Sequence, residues 1–308
     1  MNIGTRAAPA NTHVQAALLM LGSTVLFGFM AVAIRLASAS MHTFEVAFFR
    51  NFFGLLATLP LLMRHGPGLL KTTQLPRYLI RSLIGVFGMF CGFWAIGHLP
   101  LAQAIALSYS TPLFVTIAAV IFLHEQVRAR RWAAVLLGFV GVLVILRPGS
   151  ESFTAGTLVA VVAAVFSALV SIQIKQLSYT EPADRIVVWT TLLWVPMSLV
   201  PALFVWKWPH GIAWLWVIAA GVLGTTAHML WTRAIKLGEI SALTPISFMQ
   251  LLVVALLGYL LFDERLDRWT AVGAAIIFGA NAYIAHREAK LARQHATTAP
   301  VEAAKPGE

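Results

Sequence analysis

The sequence predicts an all-α integral membrane protein of ten transmembrane helices, two inverted five-helix repeats with both termini in the cytoplasm. Three observations predict it: apolar stretches of membrane-crossing length, a one-sided distribution of Lys and Arg among the loops, and a register in which the second half repeats the first. Of the 308 residues, 59% are hydrophobic and 11% charged, whereas a soluble domain carries roughly 25% charged residues. Cys91, the one cysteine, lies in an apolar run, which excludes a disulfide framework and a Cys-based metal site. A net charge of +10 would suit nucleic acid, but Lys and Arg fall in short loops, without a basic face or a recognition motif.

A hydrocarbon core of about 30 Å needs about 20 apolar residues at 1.5 Å each. Charge-free stretches run 7–34, 82–124, 132–146, 152–174, 186–206, 208–232, 240–262 and 269–286. The stretch 82–124 holds two crossings, because His98-Leu99-Pro100 interrupts it and proline supplies no backbone donor. Residues 44–63 form a further crossing despite Glu45 and Arg50. The total is ten. Ser38-Ala39-Ser40 has the small residues of a signal-peptidase site, yet the apolar run before it is nearer twenty residues than the 7–15 of a signal core. It therefore belongs to the first crossing.

With the N-terminus cytoplasmic, fifteen Lys and Arg fall on the cytoplasmic side, and only Arg147, Lys207, Arg265 and Arg268 on the other. That bias orients the chain in an inner membrane. Arg35, Arg50 and Arg81 belong to helices or their ends. Trp132, Trp206, Trp208, Trp214 and Trp269 lie near crossing ends, as interfacial anchors do. The expected units are a cytoplasmic N-terminus at 1–13, repeats at 14–147 and 152–286, and a polar, disordered cytoplasmic tail at 287–308.

An offset of about 139 residues brings the halves into register. Phe122-Leu123-His124-Glu125 falls on Leu261-Phe262-Asp263-Glu264, Glu45 on Asp184, and Arg35 within one residue of Lys175. Five helices per unit is an odd number, so the second copy enters the membrane inverted. Inverted repeats are the common architecture of secondary transporters.

Leu107-Ser108-Tyr109-Ser110-Thr111-Pro112-Leu113-Phe114, then Phe122-Leu123-His124-Glu125, Arg131-Trp132 and Gly138-Phe139-Val140-Gly141 resemble the EamA repeat of the drug/metabolite transporter superfamily. Phe262-Asp263-Glu264-Arg265-Leu266, Trp269 and Gly273 carry the likeness into the second half. One departure stands out: Pro112 falls on Leu251, and the nearest proline is Pro245. The segment His42 to Arg50 resembles the second helix of a bacterial subgroup that includes S-adenosylmethionine uptake carriers. The resemblance implies a central cavity between the halves and transport without ATP hydrolysis. The chain has no Gly-rich phosphate loop ending in Lys-Ser or Lys-Thr. Related carriers export amino acids, opine-type metallophores or toxic metabolites, or import riboflavin.

Ionised groups inside a membrane are costly and face protein or water. Glu45 and Arg50 stand about 140° apart on their helix and do not pair. Glu45 is expected to meet Arg35 across the 38–43 loop, with a proton site as the alternative. Arg50 is set to hold a substrate carboxylate bidentately, or else to cap carbonyls or snorkel. Pro112 is expected to kink the fourth crossing and free carbonyls, with Ser108 and Tyr109 offering hydrogen bonds one turn away. Gln173, His228 and Gln250 need partners inside the sixth, eighth and ninth crossings. His228 serves either proton coupling or a structural hydrogen bond. Trp94 and Trp231 stack on a flat ligand or anchor at the interface. Gly88 with Gly92, and Gly138 with Gly141, suit close helix packing, and Glu125 and Glu264 suit capping or pairing with arginine.

No His cluster, carboxylate dyad or nucleophile motif suggests an enzyme. Neither a metal nor a cofactor is expected. The expected partners are a small-molecule substrate and the bilayer, with protons as a candidate coupling ion and a homodimer as a candidate assembly.

Overall fold

The computed structural model describes residues 10–65, 67–124, 129–150, 153–237, 243 and 246–298. Among them every regular element is a helix, and no strand occurs. The elements are α1 (Ala10–Ser38), α2 (Thr43–His65), a 3-10 turn (Pro67–Leu70), α3 (Leu75–His98), α4 (Leu101–Ser108), α5 (Thr111–Leu123), α6 (Ala129–Leu146), α7 (Ala155–Ser178), α8 (Ala183–Leu203), α9 (Ala213–Leu237), α10 (Met249–Phe262) and α11 (Arg268–Thr298).

Val14–Ser38, Leu75–His98, Leu101–Leu123, Ala155–Leu177 and Ala213–Trp231 are long and apolar enough to cross a membrane, and Trp132–Leu146, Val188–Leu203 and Met249–Phe262 are shorter apolar helices. Large apolar side chains stand exposed along α3 (Leu79, Ile80, Leu83, Phe87) and α6 (Leu136, Leu137, Val140, Leu143), a surface suited to lipid rather than water.

The break expected at His98-Leu99-Pro100 is present: α3 stops at His98 and α4 starts at Leu101. A second break, at Tyr109-Ser110, differs from the expected kink at Pro112. Proline sits in the first turn of α5, where its missing donor costs nothing, so it starts a new helix rather than bending an old one. The equivalent break before α10 falls at Phe248, 139 residues on and with no proline at the position matching Pro112. The last helix, α11, continues to Thr298, into the segment expected as a tail at 287–308. Its extension, Arg287-Glu288-Ala289-Lys290-Leu291-Ala292-Arg293, consists of strong helix formers. Residues 299–308, most of the N-terminal 1–13 segment and Glu125 lie outside the described residues.

Helix packing repeats itself when the halves are exchanged. The α1–α9 pair matches α7–α3, α2–α9 matches α8–α3, and α1–α10 matches α7–α5, while α2–α8 and α6–α11 each join equivalent helices of the two halves. Local geometry repeats too. His124 and Asp263, 139 residues apart, both end their helices at φ 52°, giving back an N–H to Ala119 and Gly258 respectively.

Glycines carry the closest approaches. A Cβ on Gly141 would stand 2.8 Å from the Gly273 carbonyl of α11, and one on Gly88 2.8 Å from Phe166 Cβ of α7. The face reached by the end of α1 is called distal below, and the face carrying the start of α1 proximal.

Candidate functional site

Arg50, two turns into α2, is buried. Its Nη1 donates to Asn51 Oδ1 at 3.0 Å, and Asn51 Nδ2 donates to Ser198 Oγ of α8 at 3.2 Å. The Arg50 Nε has no hydrogen-bond partner, and among the described residues no carboxylate pairs with this guanidinium. The Nε–Nη2 edge is turned towards α9 at Gly224: a Cβ there would lie 3.0 Å from Nη2, 3.4 Å from Nε and 2.6 Å from Met30 Sδ of α1. Only glycine leaves that room. One turn along α9, the exposed His228 meets Phe27 of α1 edge-on, with centroids 5.0 Å apart. Arg50 and His228 thus come together where α1, α2 and α9 converge. With Nη1 held by Asn51 and Nε left without a partner, the Nε–Nη2 edge is of the kind that can meet a carboxylate.

Tyr109 and Gln250 form a second polar group, between α4, α10 and α11. The Tyr109 hydroxyl donates to the Ser247 carbonyl at 2.6 Å and lies 3.5 Å from Gln250 Oε1. Its ring stacks on Phe248 at 4.1 Å and 16°, so two positions related by the repeat meet face to face. The Tyr109 carbonyl, released by the helix break, accepts Asn281 Nδ2 at 2.8 Å. Ser108 Oγ donates to Ile105 O within its own helix, as hydroxyls in helices commonly do.

Asn51, Ser198 and Asn281 belong to these groups and were missed in the sequence reading. The legible signal was the same one that marked Gln173: an amide or hydroxyl inside an apolar run needs a partner.

The expected Arg35–Glu45 pair does not form. Arg35 leaves the last turn of α1 towards the α3–α4 junction, donating to the carbonyls of Ile96 (2.8 Å) and Leu99 (2.9 Å), and pairs with Glu264 at 3.1 Å. Glu45 instead folds back on its own helix start, accepting the His42 N–H at 2.9 Å and the Lys207 N–H. This is half of a capping box. Glu264 also accepts the Leu101 N–H at 2.7 Å, which caps α4 as the sequence suggested. Beside this junction lies a distal cavity of about 300 Å³ lined by His98, Gln103, Arg147, Glu264, Asp267 and Thr270 among others.

The remaining candidates stand apart. Trp94 stacks on His98 at 4.0 Å near the distal end of α3, Trp231 is exposed on α9, and Gln173 Oε1 of α7 is buried without a partner. No group of three or more His, Cys, Asp or Glu able to hold a metal occurs among the described residues.

The EamA-like transporter family model matches residues 14–147 and 154–285. An S-adenosylmethionine uptake transporter of Rickettsia felis is 32% identical over 256 residues, 83% of this chain and 87% of that protein. A riboflavin transporter of Vibrio cholerae is 35% identical, covering 73% of this chain and 76% of that one. The pseudopaline exporter CntI of Pseudomonas aeruginosa is 29% identical, covering 84% and 92%. A solved crystal structure shares the fold, with a TM-score of 0.61 at 20% identity over 89% of this chain and 98% of that one. Matched over both of its repeats, this chain belongs to the EamA-like transporter family.

Proposed function

We propose that the protein is a secondary carrier that crosses the bacterial inner membrane ten times, with both termini cytoplasmic and repeats at 14–147 and 152–286. It moves a small carboxylate-bearing metabolite, and uptake of an S-adenosylmethionine-like compound is the reading preferred here. One observation carries the substrate class: the buried Arg50 guanidinium presents an unpaired Nε beside Gly224. A carboxylate supplies what that edge lacks, a bidentate acceptor of opposite charge.

The preferred substrate rests on the similarity to S-adenosylmethionine uptake transporters at 29–32% identity. Export of an amino acid or opine-type metallophore is the second reading, supported by similarity to the pseudopaline exporter across 92% of that protein.

The test measures uptake into energised cells, and efflux from preloaded ones, of labelled S-adenosylmethionine against riboflavin, amino acids and metal chelators, with and without a protonophore. Saturable uptake that Arg50→Ala abolishes, at unchanged membrane abundance, supports the preferred reading. Efflux of a chelator without that uptake moves the function to export. An Arg50→Ala variant that transports at the wild-type rate refutes the carboxylate clamp.

A further inference from the structure

The interface equivalent to α2–α9 under exchange of the halves is α3–α8, and it buries a second arginine. Tyr78, Arg81 and Ser82 of α3 are 0%, 6% and 0% exposed. With Gly85 they follow the i, i+3, i+4, i+7 spacing of one helix face. Against them α8 sets Trp189, Thr190 and Trp194. Tyr78 stacks on Trp189 at 5.9 Å and 26°, Arg81 Nη1 donates to Thr190 Oγ1, and a Cβ on Gly85 would lie 3.2 Å from Trp194 Nε1. Gly85 is the counterpart of Gly224, 139 residues apart, so the same glycine gap opens beside Arg50 in one interface and receives an indole in the other.

The polar inventory of this interface is one-sided. Tyr78 OH, Arg81 Nε, Ser82 Oγ, Trp189 Nε1 and Trp194 Nε1 are all buried without a hydrogen-bond partner. Every one of them can donate, and the guanidinium and the two indoles can only donate. Thr190 Oγ1 gives its own hydrogen to the Ile186 carbonyl. The nearby carboxylate, Glu181, is held by Thr72 and Arg185. Among the described residues no acid pairs with Arg81.

Five unmet donors, one of them the Nε of the buried cation itself, lie along the facing sides of α3 and α8 and call for an acceptor with several oxygens. The depth is informative as well. Arg81 lies six residues past Leu75, about 9 Å along the helix from its proximal end, a depth that suits the boundary between headgroups and acyl chains. Leu79, Ile80 and Leu83 beside it face outward.

We infer that the α3–α8 interface is an oxyanion site, separate from the Arg50 site, in which Arg81, Tyr78, Ser82 and the two indole N–H groups receive a phosphate. The phosphate is that of an anionic phospholipid or a free anion from the proximal side. The inference does not depend on the identity of the transported substrate, because its readout is binding to the idle protein.

The purified full chain in detergent is mixed with phosphatidylglycerol or phosphatidylcholine and examined by native mass spectrometry. In parallel, intrinsic tryptophan fluorescence is followed during titration with inorganic phosphate. The site predicts one retained phosphatidylglycerol, no retained phosphatidylcholine, and about tenfold weaker retention in Arg81→Gln, with Arg81→Lys intermediate. A saturable fluorescence change with phosphate alone, lost in Arg81→Gln, assigns the site to a free anion instead. If Arg81→Gln does not fold, Ser82→Ala and Trp189→Phe carry the comparison, and each should weaken binding. Equal binding by wild type and variants, or no binding in either arm, overturns the inference and leaves the donors to water.

Discussion

Gly224→Ala tests the Arg50 site without touching the arginine. The added Cβ would stand 2.6 Å from Met30 Sδ and 3.0 Å from Arg50 Nη2. Both neighbours are flexible side chains, so the Arg50 end can give by a few tenths of an ångström and the Met30 sulfur by nearly one. Alanine gains about 1 kcal/mol over glycine in a helix interior, and overpacking costs about 1–3 kcal/mol, so the variant should be between neutral and about 2 kcal/mol less stable. The guanidinium, however, moves off the position that meets a carboxylate. A charged hydrogen bond contributes about 1.5–3 kcal/mol, and its loss corresponds to a rise in KM of about 10- to 150-fold. Gly221→Ala is the control. Its Cβ would lie 2.9 Å from the Arg50 carbonyl and 3.0 Å from Gly54 N, backbone atoms that cannot yield, so it should lower the amount of folded protein. Initial uptake rates over a substrate series, with membrane abundance and thermal unfolding in detergent, separate the two effects. A folded Gly224→Ala carrier with wild-type KM would refute the placement of the substrate carboxylate against Arg50.

Three further outcomes follow from other contacts. Glu264→Gln removes the ion pair with a part-exposed Arg35, a loss of about 1 kcal/mol; Glu264→Ala also uncaps α4 and should cost about 1 kcal/mol more, which thermal unfolding checks. Tyr109→Phe keeps the stack on Phe248 and loses the bond to Ser247 O, about 1 kcal/mol, whereas Asn281→Ala strands the Tyr109 carbonyl and should cost about 1–3 kcal/mol. Burial works to raise the Glu181 carboxyl, but the Thr72 hydroxyl and Arg185 overcome it and hold the group below its ordinary value. A lowered folded value means that this clamp is complete above about pH 4.3, the unperturbed carboxylate value, and is lost as pH falls through the folded value. Wild type should therefore lose more stability on acidification than Glu181→Gln; equal losses would exclude the clamp.

Apolar run length and loop charge made the helices legible in order, and Pro100 marked the first break because its restriction is local. The second break was misplaced onto Pro112. Its counterpart at Phe248 lacks that proline, so both breaks answer to a contact between halves, the Tyr109–Phe248 stack, which no local signal reveals. Arg35 was assigned to Glu45, ten residues away, when its partner Glu264 lies 229 residues away across the repeat boundary. Sequence proximity favoured the wrong carboxylate. Arg50 could be singled out because an arginine in an apolar run must be accommodated by protein. Arg81 immediately precedes its charge-free stretch and read as a helix end, although it is as buried as Arg50.

The scaffold repeats under exchange of the halves, but three polar groups of the candidate site do not. Arg50 falls on Trp189 at the repeat offset, Tyr109 on Phe248, and His228 on Met89. In the proposed carrier, matched helix packings would supply the two arrangements of similar energy that alternating access needs. Unmatched side chains then decide which arrangement is preferred and which end of a ligand is held. The Arg35–Glu264 pair joins α1 of one half to the end of α10 of the other, and the same carboxylate caps α4. In the proposed carrier, opening the distal face between these halves would break both contacts at once. A ligand shifts that balance only by binding one arrangement more tightly than the other. Substitution at Glu264 should therefore alter transport rate and direction preference, whereas substitution at Arg50 should alter substrate affinity, and variants that failed to separate in this way would place gate and clamp in a single coupled unit.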